Sequence, residues 1–97
     1  MTADKELLKL AAKAAGIELH QWVESCNEFM TTNSDGWNPL TNDGDALRLA
    51  VTLGLFTGAE FYHFRSLERF AGQDVDEYTA TRRAIVRAAA EIGRAMT

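Results

Sequence analysis

Trp37-Asn38-Pro39-Leu40-Thr41-Asn42-Asp43-Gly44-Asp45-Ala46-Leu47 joins a turn-rich loop to an amphipathic helix, and its reading decides the fold class. Pro39 fixes its own φ and pushes Asn38 into an extended conformation, so no helix runs through this point. Thr41 is an expected N-cap, and Asp43 and Asp45 complement the positive end of a helix dipole. The spacing predicts a helix over residues 42–53, with Gly54 as the left-handed stop. Ala46, Leu47, Ala50, Val51 and Gly54 are its expected buried stripe.

Outward toward the N-terminus, Asn33-Ser34-Asp35-Gly36 is a strong turn signal. Before it, Phe29-Met30-Thr31-Thr32 reads as a short strand. Ile17 to Val23 reads as another, with Ile17, Leu19 and Val23 on one face and Trp22 on the other. Leu7, Leu8, Ala11, Ala14 and Ala15 recur at helical spacing opposite Lys5, Lys9 and Lys13. They predict a first helix over residues 3–15, ended by Gly16.

Toward the C-terminus, Ala59-Glu60-Phe61-Tyr62-His63-Phe64 is strand-like by aromatic content, and a hairpin partner is expected over residues 67–70. Residues 72–76 read as a loop. A third helix is expected over residues 77–96, with Tyr78, Ile85, Ala88, Ala89, Ile92 and Met96 inward. The order α-β-β-α-β-β-α predicts an α+β domain: three helices packed on one face of a small antiparallel sheet.

Ninety-seven residues make one domain, with no room for a second core. With 46% hydrophobic residues and nine aromatics, the chain has the material for a packed core, unlike a disordered segment. The net charge of −4 disfavours duplex nucleic acid, whose phosphates repel an acidic surface. Cys26 is the single cysteine, which excludes an internal disulfide and a cysteine-rich metal site. The absence of an apolar run near 18 residues, and of a signal-peptide pattern, leads to the expectation of a cytoplasmic protein without membrane contact.

Three constellations carry candidate chemistry. Trp37 and Asn38 sit beside the N–H groups that open the second helix, where an anion binds readily and an indole can stack on a flat ligand. The plain alternative is a capped helix start with Trp37 plugging the core. Arg83, Arg87 and Arg94 share one face of the third helix, flanked by Arg82. Residues 77–96 carry a local +2 against −6 in the rest, and arginine suits forked bonds to phosphate. The alternative is a solvated face with an Arg87–Glu91 pair. Tyr62, His63 and Arg65 come third: Arg65 can take an anion, while Tyr62 with Trp22 can stack on a base or serve as ordinary core. His20 and His63 lack any spacing that would build a metal site. No catalytic residue, metal ligand or cofactor is assigned, because no nucleophile–base pair or glycine-rich phosphate loop stands out.

Leu7–Gly16 (LLKLAAKAAG), Trp37–Leu53 (WNPLTNDGDALRLAVTL) and Ala80–Arg94 (ATRRAIVRAAAEIGR) resemble small tailed-phage accessory proteins and, more distantly, NinX-type phage proteins. The resemblance covers roughly half the chain and lends no catalytic residues. It implies a phage product acting in the infected bacterial cytoplasm by stoichiometric binding. The expectation is a non-enzymatic anti-defence protein that sequesters a nucleotide-derived immune signal through Trp37, Asn38, Tyr62, Arg65, Arg83 and Arg87. The alternative is an inhibitor that covers a host defence or replication protein with its acidic face. A homo-oligomer is expected in either case, since one small chain has few ways to form a deep pocket.

Overall fold

The structure, a computed structural model, describes residues 2–31, 35–55 and 76–96. Among the described residues the elements are α1 (Thr2–Ala15), β1 (Leu19–Val23), β2 (Glu28–Thr31), β3 (Gly36–Trp37), α2 (Asp43–Leu53) and α3 (Glu77–Ala95). The class is α+β, with these three helices on a three-stranded antiparallel sheet of order β1-β2-β3. The third strand is only two residues long and comes ahead of α2. The expected strands at residues 59–64 and 67–70 lie outside the described residues.

The helices stop where glycine permits. Gly54 adopts φ +64° and returns its N–H to Ala50 and Val51. Gly16 adopts φ +73° as α1 ends, and Ile17 N–H reaches back to the Ala12 carbonyl. Both positions lie in the left-handed region that costs glycine nothing. At the start of α3, Asp76 accepts the Thr79 N–H at 2.7 Å, and this bond lowers the Asp76 pKa below its ordinary value.

The N-cap of α2 is Asn42, not Thr41: Asn42 Oδ1 accepts the Asp45 N–H at 2.8 Å. Thr41 belongs to the preceding turn, where its N–H and hydroxyl both point to the Asn38 carbonyl.

A bulge lies between Leu19 and Trp22 in β1. It resolves the broken alternation of this strand, because Leu19 and Trp22 both pack against the core. Trp22 is therefore on the core side, contrary to strict alternation. It stands opposite Phe29, and Phe29 stands opposite Trp37, so one aromatic row crosses all three strands. The Trp22 and Phe29 rings meet edge to face at 4.9 Å.

Leu8, Ala11 and Ala12 of α1, Leu49 and Ala50 of α2, and Ala84, Val86, Ala88 and Ala89 of α3 form the helical side of the core. α1 and α3 lie side by side in the same direction, with Asp4 near Arg83 and Leu10 against Gly93. Their seam is mostly alanine and glycine, which lets the backbones approach closely. Five inward expectations are corrected: Leu47, Val51, Gly54, Tyr78 and Met96 are exposed. Small residues fill the seams instead, and Leu49 takes the buried place on α2 that Leu47 and Val51 were expected to share.

Candidate functional site

Asn38 organises the site. Its N–H donates to Asp45 Oδ2 at 3.0 Å, and its side-chain amide donates to the Asn27 carbonyl. Its Oδ1 accepts the Leu40 N–H at 2.9 Å, and its carbonyl accepts the N–H groups of Thr41 and Asn42. The proline that follows holds this extended residue in place. Asn27, the partner in the β1–β2 turn, has φ +54°, a left-handed conformation that asparagine tolerates better than most residues. One buried amide thus ties the hairpin turn, the loop and the start of α2 together.

The start of α2 is also filled from within the chain. The Asp45 carboxylate is buried; it takes the Asn38 N–H on one oxygen and Arg48 at 2.7 Å on the other. A carboxylate already stands where an external anion would approach this end of the helix dipole. Trp37 is 6% exposed and belongs to the core, and Asn38 is 4% exposed.

Asn38→Ala would leave the Leu40 N–H and the Asn27 carbonyl without their partner. The Leu40 N–H is buried, and orphaning a buried group costs about 1–3 kcal/mol, while the Asn27 carbonyl belongs to an exposed residue and can turn to water. We expect a loss of about 2 kcal/mol or more by urea unfolding, with the fold retained. Asn38→Ala unfolding at the wild-type midpoint would contradict the clamp.

Beside this clamp lies a cleft of about 390 Å³, bounded by α1, the first turns of α3, β1 and the loop. Trp22, Asn38, Arg82 and Arg83 line it, together with Asp4 and Thr79. Arg82 is committed to structure: it donates to the Leu40 carbonyl at 2.9 Å, to Asp43 at 2.7 Å and to Thr79 Oγ1 at 3.1 Å. Arg83 meets Asp4 at 3.4 Å, well beyond the 2.7–2.9 Å typical of a strong charge-assisted bond. The Lys5 ammonium sits 5.0 Å from the Trp22 ring centre and 3.2 Å from Glu24. Lys5, and after it the Trp22 N–H, lower the Glu24 pKa. The indole nitrogen is buried and makes no hydrogen bond of good geometry among the described residues.

The expected site residues are thus only partly brought together. Asn38 and Arg83 meet at one cleft, and Trp22 and Arg82 join them. Trp37 lines a different cleft of about 510 Å³ with Asp45 and Arg48. Arg87 is half-buried on α3 and does not line the Asn38–Arg83 cleft, while Arg94 pairs with Glu91. Tyr62, His63 and Arg65 lie outside the described residues. Arg82 was legible only as a neighbour of the arginine face, because its partners Leu40 and Asp43 are about forty residues away in sequence.

Among the described residues, no group of His, Cys, Asp and Glu could hold a metal ion, and no helix is long and apolar enough to cross a membrane. Comparison with protein families, with curated proteins and with solved structures returns no match to this chain.

Proposed function

We propose that this chain is a non-enzymatic phage accessory protein that binds and sequesters a nucleotide-derived host immune signal in the infected bacterial cytoplasm. The phage setting rests on the sequence resemblance alone. The observation that carries the binding reading is the Asp4–Arg83 contact at the mouth of the cleft. Asp4 faces the Arg83 guanidinium at this mouth, so it is the anion that a bound phosphate would displace. A phosphate has three equivalent oxygens for the guanidinium fork, so it competes well with a single carboxylate oxygen. Trp22 supplies an aromatic wall suited to a base, and Asn38 supplies a rigid polar one.

This reading gives the two partners of the contact opposite signs. Arg83→Ala should weaken nucleotide binding about tenfold or more, since 1.4 kcal/mol is a factor of ten. Asp4→Asn should strengthen it by removing the competing anion. Native mass spectrometry of the protein recovered from infected-cell lysate tests the class of ligand directly. The reading expects a retained nucleotide-sized mass. A retained host protein without a small molecule would replace it with the inhibitor reading.

A further inference from the structure

The cleft beside the Asn38 clamp limits what a nucleotide can bring into it. Its volume of about 390 Å³ stands near the lower end of the roughly 300–1,000 Å³ of ligand pockets. Trp22 is the one aromatic side chain that lines it among the described residues, and the Lys5 ammonium lies over that indole without lining the cleft. One aromatic wall and a small volume suit a single base with its sugar.

The charges are equally limited. Among the described residues, Asp4, Arg82 and Arg83 are the charged side chains that line the cleft. Arg82 is matched by Asp43, and each of its guanidinium nitrogens already donates a hydrogen bond, to Leu40, Asp43 or Thr79. Arg83 faces Asp4. The charges of these two pairs cancel, so a phosphate that enters is excess negative charge. Asp4 and Arg83 keep only 35% and 31% of their side-chain surface exposed. A carboxylate partly withdrawn from water repels a neighbouring anion more strongly than an exposed one, and the repulsion grows with every charge the ligand carries. Asp4 also cannot withdraw far. It lies in the first turn of α1, and that helix is held against α3 where Leu10 meets Gly93.

We propose that the cleft takes a mononucleotide with one singly charged phosphate, and that Asp4 is the residue that sets this limit. The inference rests on the nucleotide reading and names the class of ligand within it. Arg83 holds the phosphate, Trp22 flanks the base, and Asp4 rejects further charge. The phosphodiester of a cyclic mononucleotide carries one negative charge. A linear monophosphate approaches two at neutral pH, and a triphosphate carries more. A cyclic dinucleotide adds a second base, for which the described lining holds no second aromatic wall.

Calorimetric titration of the full chain tests it. The probes are the cyclic monophosphate, linear monophosphate and triphosphate of each common base, and cyclic dinucleotides. Comparison within one base leaves the phosphate as the difference. For the base that binds best, the wild type should hold the cyclic monophosphate about tenfold or more tighter than the triphosphate, with the linear monophosphate between them. The cyclic dinucleotide should bind at least about tenfold more weakly than the cyclic monophosphate. Asp4→Asn should tighten the triphosphate most and bring the series within about threefold. Asp4→Glu keeps the charge and should keep the preference. Circular dichroism checks that each variant is folded, and the order of wild-type affinities is a test by itself if Asp4→Asn is not. A triphosphate or cyclic dinucleotide bound as tightly as the cyclic monophosphate would overturn the charge limit and leave the nucleotide reading standing. So would an Asp4→Asn gain that is equal for every ligand. Absence of binding by the wild type and Asp4→Asn alike would overturn the nucleotide reading and this inference with it.

Discussion

Trp37→Ala should cost about 3–5 kcal/mol of stability, as large aromatic truncations in a packed core do. Trp37 closes the aromatic row that crosses the sheet from Trp22 through Phe29, and it is nearly inaccessible to water. Truncation removes its transfer free energy and leaves a cavity bounded by the sheet and the start of α2, which the Asn38 and Asp45 hydrogen bonds keep from collapsing. Small domains are stable by only about 5–15 kcal/mol, so the variant should lose much of its margin. For a chain of this length, each kcal/mol lowers the melting temperature by about 4–8 °C, so a fall of well over 10 °C is expected. A variant that melts with the wild type and loses only ligand binding would show instead that Trp37 is a ligand platform.

Gly93→Ala should destabilise the protein by about 2–3 kcal/mol, the upper range for overpacking a core. In an exposed helix the same change gains up to about 1 kcal/mol, because alanine restricts the unfolded chain and favours the helix. Here the sign reverses. A Cβ on Gly93 would lie 2.8 Å from the Leu10 carbonyl carbon, 3.3 Å from its Cα, and would overlap its oxygen. Both obstacles are backbone, so no rotamer relieves the clash and α1 must move away from α3. The same movement would part Asp4 from Arg83 and deform the cleft. Thermal unfolding of Gly93→Ala against wild type checks this, and an unchanged or higher midpoint would refute the close seam.

Much of this fold is legible in the sequence because its signals are local. The 3.6-residue spacing of alanine and leucine marks the three helices of the described residues, and Gly16 and Gly54 mark two of their ends. The start of α2 is displaced by one residue, since Thr41 and Asn42 are both good caps and only the Asn38 carbonyl decides between them. The inward faces were less legible. Periodicity gives a stripe but not what the stripe meets, and in α3 the meeting surface is alanine packed on α1 rather than Tyr78 or Met96. Trp22 was misplaced because a bulge shifts the alternation of β1, and a bulge leaves no sure mark in one sequence.

The site was legible in its residue types and not in its pairings. Asn38 was singled out as a ligand residue, and its amide proves to be the clamp beside the cleft. Asp45 read as a dipole complement and turns out to be the buried acceptor of the Asn38 N–H. Arg83 stood out on α3, but its partner Asp4 is seventy-nine residues away, and no spacing rule reaches that far. Composition pointed to arginine and aromatic chemistry, while the choice of which arginine is spent on structure depends on contacts made only in the fold.

The measurement that bears most directly on the proposed function is a calorimetric titration of wild type, Arg83→Ala and Asp4→Asn with a panel of cyclic and linear nucleotides. The account predicts that at least one nucleotide binds the wild type, that Arg83→Ala weakens it about tenfold or more, and that Asp4→Asn tightens it. Absence of binding to the wild type at high micromolar concentration, or binding that neither substitution alters, would contradict it.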